Sequence, residues 1–173
     1  MAEEAPLQVA GLAVRHEAAA PAAALRYFSA QGDFAAALRR AGTPLPATGQ
    51  ALEAGRDLIL AWRAPGETLC LCGGEAQLQE LQRTVAAAAD GCLVTLTGGL
   101  SVVHLTGTRI EELLCRLGGS AATPAPGQAQ RGRLADVAVL AVCVRAQQVR
   151  LVVDRGYAEH LLGWIQATLQ DLS

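Results

Sequence analysis

The apolar residues of this chain fall into short blocks separated by turn-forming residues, and that spacing limits the folds open to it. The longest uninterrupted block, Val137 to Val144, is far short of the roughly 20 apolar residues that a bilayer-spanning helix needs. Blocks of this length suit buried strands or single helix faces, and the turn chemistry between them predicts which.

Two stretches read as hairpins. Asp57–Trp62 and Thr68–Cys72 flank Ala64-Pro65-Gly66-Glu67, and Cys92–Thr97 and Leu100–Thr106 flank Gly98-Gly99; both intervening sequences are strong turn signals. Near the C-terminus, Ala135-Asp136 leads into a strand over 137–144, and Ala146-Gln147 turns it into a second over 149–153. Further strands are predicted at Leu7–Val14 and Ala24–Ser29. Helices are predicted where apolar residues recur every three or four positions. These are 34–41 with Asp33 as its cap, 75–89 with Leu78, Leu81 and Val85 on one face, and 109–117 with Ile110, Leu113, Leu114 and Leu117. A last helix, 156–169, carries Tyr157, Leu161, Leu162, Ile165 and Leu169, with Asp154 as its cap. The Gly/Ala/Pro/Gln-rich stretch 118–132 reads as loop. Strands and helices without regular βαβ alternation predict an α+β fold, a mixed, mostly antiparallel sheet with three to four helices. Residues 1–21 read as a weakly ordered N-terminal segment and 22–173 as a single domain.

Composition narrows function. The chain has 173 residues, 51% apolar but only 3% aromatic, so the core must be built from Ala, Leu and Val. All fourteen basic residues are Arg, scattered along a chain of net charge −2. No basic stripe interleaved with aromatics forms, which argues against nucleic acid as a partner. The five cysteines, an odd number lying mostly in apolar runs where free thiols behave as small hydrophobes, suit a reducing cytoplasm, with no secretory leader and no membrane segment expected.

Motifs that carry chemistry have bland readings here. Cys70-x-Cys72 would point two thiols to one face of a strand, but no second pair or neighbouring histidine completes a metal set. His104 lies in a strand with no evident nucleophile or orienting carboxylate. His160, beside Glu159, reads as solvated. Glu111 and Glu112 sit in a first helical turn, where the helix dipole favours them. The glycine pairs fit neither dinucleotide nor P-loop spacing. The residues thus offer no catalytic, cofactor-binding or metal site.

Four segments, in order, nevertheless carry a resemblance. They are Gly32-Asp33 with the helix running to Ala41-Gly42-Thr43-Pro44-Leu45-Pro46; Leu60-Ala61-Trp62-Arg63-Ala64-Pro65-Gly66-Glu67-Thr68-Leu69; Val94 through Gly107 into Leu113-Leu114; and Arg133 through Val137 to Asp154-Arg155-Gly156-Tyr157-Ala158, ending at Trp164. Together they resemble the gamma subunit of heterotetrameric sarcosine oxidases, a family with a fold like the folate-binding domain of glycine-cleavage aminomethyltransferases.

That resemblance implies a non-catalytic structural or assembly subunit, an accessory in the oxidative demethylation of sarcosine. Its partners would be the alpha and beta subunits. The cofactors, FAD, FMN, NAD and tetrahydrofolate, would lie on those partners and none on this chain. Thr95, Thr97 and Ser120 stand where relatives carry acidic or other polar residues, and the carboxylate that folate proteins of the superfamily use is missing. Trp62, Arg155 and Tyr157 are the expected partner-interface residues, because planar and aromatic side chains anchor interfaces. The alternative is a stand-alone folate or one-carbon binding module.

Overall fold

The computed structural model describes residues 7–55, 57–118 and 123–172. It is α+β, with two antiparallel sheets and four helices. The chain forms two compact units, one comprising the residues up to Ala19 together with Gly99 onward, the other Ala20–Gly98. The sequence alone predicts one domain over 22–173.

The first unit holds a six-stranded sheet built from β1 (Leu7–Val9), β2 (Leu12–Glu17), β8 (Leu100–Gly107), β9 (Gln128–Leu134), β10 (Val137–Arg145) and β11 (Gln148–Asp154), in the order β1-β2-β8-β11-β10-β9. Residues 7–17, read from sequence as part of a weakly ordered opening, supply its first two strands. β1 pairs with β2, and β2 with β8, some ninety residues along the chain, so nothing local signals that second pairing. Helices α3 (Ile110–Gly118) and α4 (Ala158–Asp171) share one core with this sheet. Ile110, Leu113, Leu114 and Leu117 of α3 and Leu161, Ile165 and Leu169 of α4 meet Val103, Leu105, Val139 and Leu151 there. The stripe read for α3 is thus the buried one. On α4, Tyr157 is an exception: it ends a 3-10 turn, Arg155–Tyr157, that precedes the helix, and it faces solvent.

The second unit holds β3 (Ala22–Tyr27), β4 (Ala51–Glu53), β5 (Ile59–Ala64), β6 (Glu67–Leu71) and β7 (Gly91–Thr95), in the order β4-β5-β6-β3-β7. Helices α1 (Asp33–Arg40) and α2 (Glu75–Val85) pack through Phe34, Leu38, Leu78, Leu81 and Val85 against Leu25, Leu60 and Cys70. The hairpin read at β5 and β6 forms, with Gly66 at φ 71° in the turn as its chemistry requires.

Three sequence expectations change. First, Gly98-Gly99 does not close a hairpin. β7 pairs with β3 in the five-stranded sheet, whereas β8 pairs with β2 and β11 in the six-stranded one. The glycines are the link by which the chain leaves one unit for the other. Two alternating strands around a glycine pair look the same in either case, and β8 gains a full ladder on both of its edges by leaving β7. Second, the polar stretch 128–134 is a strand, β9, at the sheet edge. One of its edges is unpaired, so polar side chains are tolerated and no apolar alternation marks it. Third, Asp33 does not cap α1, and Asp154 makes no cap bond at the turn before α4. The cap of α1 comes from Asp90, whose Oδ1 accepts the N–H of Phe34 at 2.8 Å. Gly119, of the pair Gly118-Gly119, and Ser120 lie outside the described residues.

Candidate partner-contact surface

The expected interface residues fall in separate units. Trp62 lies on β5 opposite Thr68, half-buried, with its backbone N–H donated to the Gln50 carbonyl at 2.9 Å. By register it shares the sheet face of Leu60 and Cys70, the face that carries α1 and α2. Arg155 and Tyr157 stand together in the 3-10 turn ahead of α4, where the Arg155 N–H donates to the Gly99 carbonyl at 3.0 Å.

Exposure sets Phe28 and Trp164 beside the expected Tyr157. Tyr157 is 59% exposed and Trp164, seven residues on, 53%. Trp164 lies on the outer face of α4, and Tyr157 ends the 3-10 turn that precedes the helix. Beside Trp164, a shallow depression is lined by Glu159, His160, Gly163 and Ala167. His160 is not simply solvated, since its Nε2 lies 3.2 Å from the Ala135 carbonyl. In the other unit Phe28 is 94% exposed at the mouth of a hollow of about 550 Å³ beside Tyr27, Pro65 and Cys92. Glu67 borders it and bridges Arg26 at 2.8 Å and Arg63 at 3.0 Å. Single exposed apolar residues are ordinary; these positions stand out by the size of the side chains they expose. Sequence periodicity missed Trp164 because it sits next to the apolar stripe of α4 and reads as an extension of it.

The polar site that the sequence did not reveal is on the six-stranded sheet. His104 Nε2 lies 2.8 Å from Glu17 Oε2, and Arg15 approaches the same oxygen at 3.8 Å. Strand register creates the group, pairing Arg15 on one side and Arg150 on the other with His104. The carboxylate that sequence spacing did not offer His104 therefore comes from 87 residues away. Its hydrogen bond to His104, helped by the charges of His104, Arg15 and Arg150, holds the Glu17 carboxyl below its ordinary range despite partial burial. The arrangement can hold a proton between imidazole and carboxylate and ties β2 to β8.

The remaining motifs resolve as packing. Cys70 and Cys72 are buried in the core of the second unit, where the hydrogen bond to Cys72 and burial push the Cys70 thiol up, away from reactivity. Glu112 is held by Arg109 at 2.8 Å and Arg116 at 3.4 Å. Thr97 Oγ1 accepts the Ala22 N–H at 3.2 Å and closes the end of β3. Among the described residues no group of three or more His, Cys, Asp or Glu could hold a metal ion, and no helix is long and apolar enough to cross a membrane.

Comparison with known proteins decides the family. A family model described as "Sarcosine oxidase, gamma subunit family" matches residues 26–171. The chain belongs to this family. Among solved structures, a heterotetrameric sarcosine oxidase from Corynebacterium sp. U-96, in complex with pyrrole 2-carboxylate, aligns with a TM-score of 0.78 at 24% identity. The alignment covers 92% of this chain and 84% of that one. At that identity the likeness is one of fold. The regulatory subunit of aspartate kinase from Thermus thermophilus, ligand free, aligns at 12% identity over 94% of this chain and 98% of that one. Its TM-score of 0.48 is too low to bear on function. A search of curated proteins finds no match. The gamma-subunit match takes in Phe28, Trp62, Arg155, Tyr157 and Trp164, so every candidate contact residue lies inside the family's own span.

Proposed function

We propose that the chain is a non-catalytic, structural subunit of a sarcosine oxidase-like complex, packing in the cytoplasm against larger alpha and beta subunits. Those partners would carry FAD, FMN, NAD and tetrahydrofolate and perform the oxidative demethylation of sarcosine. The observation that carries this reading is the exposure of Tyr157, in the turn before α4, and of Trp164, on α4, within a chain whose family is named for a subunit of an oxidase. Aromatics that an isolated domain would bury are what an assembled subunit presents to its partner. Arg155 adds a planar cation beside Tyr157, and Trp62 is proposed as a second contact in the other unit. The buried thiols and the Arg-flanked His104–Glu17 pair serve packing and strand pairing in this reading.

The test is to express the alpha and beta partners with and without this chain. A complex that loses flavin content, assembly or turnover without it supports the structural role. A complex that assembles with full flavin content and activity in its absence overturns that role.

A further inference from the structure

A hollow of about 470 Å³ opens beside β1 and β2 in the first unit, with α4 as its other wall. Its volume is that of small-molecule sites, which run from about 300 to 1,000 Å³. Among the described residues Leu7, Val14 and Leu162 give it an aliphatic wall, and His16, Glu159 and Gln166 supply polar groups from both sides. Glu159 is its one formally charged side chain, and the carboxylate enters no ion pair or hydrogen bond among the described residues. The first-turn position of Glu159 suits the α4 dipole; that accounts for a carboxylate on this helix but not for its place on the rim of a hollow.

Gly163 is the second observation. It stands inside α4, where glycine costs about 1 kcal/mol relative to alanine. Close packing does not require it, because a Cβ at this position would meet nothing within 4 Å. A glycine that no neighbour demands thus stands on the wall of the hollow.

We propose that this hollow binds a small organic ammonium. The cation would pair with Glu159, the Gln166 side-chain carbonyl would accept one of its remaining N–H donors, and its aliphatic or aromatic body would lie against Val14 and Leu162. The proposal concerns the chain alone and stands apart from the role proposed within a complex. The probe is phenethylammonium, titrated into the full chain by calorimetry, with 3-phenylpropionate as the comparator of similar body and opposite charge. The expected result is saturable binding of the ammonium and none of the carboxylate. Glu159→Gln should weaken that binding at least about tenfold, as loss of a charge-assisted hydrogen bond does. Gly163→Leu, which fills the space, should abolish it. Both positions are exposed, so wild-type melting of the two variants separates site effects from misfolding. Absence of saturable ammonium binding, equal binding of 3-phenylpropionate, or unchanged affinity in Glu159→Gln overturns the proposal.

Discussion

Asp90 caps helix α1 by accepting the N–H of Phe34, 56 residues before it in sequence, at 2.8 Å. Its backbone carbonyl accepts the Phe28 N–H at 3.0 Å, so one residue fastens both the end of β3 and the start of the helix. Gly32, the N-cap position, has a β-region backbone but no room for a side chain, since a Cβ there would overlap the Asp90 carboxylate. Loss of an N-cap costs about 0.5–2 kcal/mol. Asp90→Ala should therefore lower stability by about 1–2 kcal/mol in urea denaturation. Gly32→Ala should cost a similar amount by pushing the carboxylate away. Because both act on one hydrogen bond, the double variant should lose clearly less than the sum.

The Glu17 carboxyl, held below its ordinary value of 4.5 by His104, makes stability depend on acid. A depressed carboxyl releases its proton more readily in the folded state, so the unfolded state binds more protons in the acid range. The Glu17 contribution is therefore complete above about pH 4.5 and fades as pH falls through the lower folded value. Glu17→Gln should flatten the rise of stability with pH between about 3 and 5, with little further change above it. Chemical denaturation of both proteins across that range reads the difference; parallel curves would show that the His104 contact contributes nothing to it.

Gly163 is a glycine whose replacement should help the isolated chain. With no atom within 4 Å of an added Cβ, Gly163→Ala removes backbone freedom from the unfolded state at no steric cost. The expected gain is about 0.5–1 kcal/mol, read as a higher melting temperature.

The turn between β9 and β10 uses Ala135 at φ 47° and Asp136 at φ 62°, both in the left-handed region. Such two-residue turns favour Asn-Gly, and an alanine there is strained by about 1–2 kcal/mol. The site is nonetheless tied down, with the Ala135 N–H donated to the Leu117 carbonyl at 2.7 Å and the Asp136 carbonyl accepting from Arg133. Ala135→Asn should raise stability by roughly 0.5 kcal/mol because asparagine tolerates this backbone better. A drop in melting temperature would mean that the alanine packs better than its backbone suggests.

Tyr157 and Trp164 separate assembly from folding. Both are more than half exposed, so alanine at either should change the stability of the isolated chain by less than about 0.5 kcal/mol. If they contact a larger subunit, the same substitutions should weaken association about tenfold or more, measured by co-purification with the partner subunits.

Local pattern determined much of this protein. The three-and-four spacing of Ile110, Leu113, Leu114 and Leu117 could bury only one helix face, and all four are buried. The run 137–144, bounded by Ala135-Asp136 and Ala146-Gln147, could only be a core strand between two turns, and β10 pairs with β9 and β11 across those turns. Four family-like segments in order also sufficed to place the chain among sarcosine oxidase gamma subunits. Tertiary structure alone decided whether Gly98-Gly99 turns or links, that the polar residues 128–134 form an edge strand, and which carboxylate reaches His104 or caps α1. It likewise decided that Trp164 faces outward, although it follows the same apolar stripe that buries Leu161 and Ile165. The physical reason is range. Helix faces and two-residue turns are set by neighbours within about four positions, whereas strand partners, remote caps and exposed faces depend on residues brought together from roughly 50 to 90 positions away.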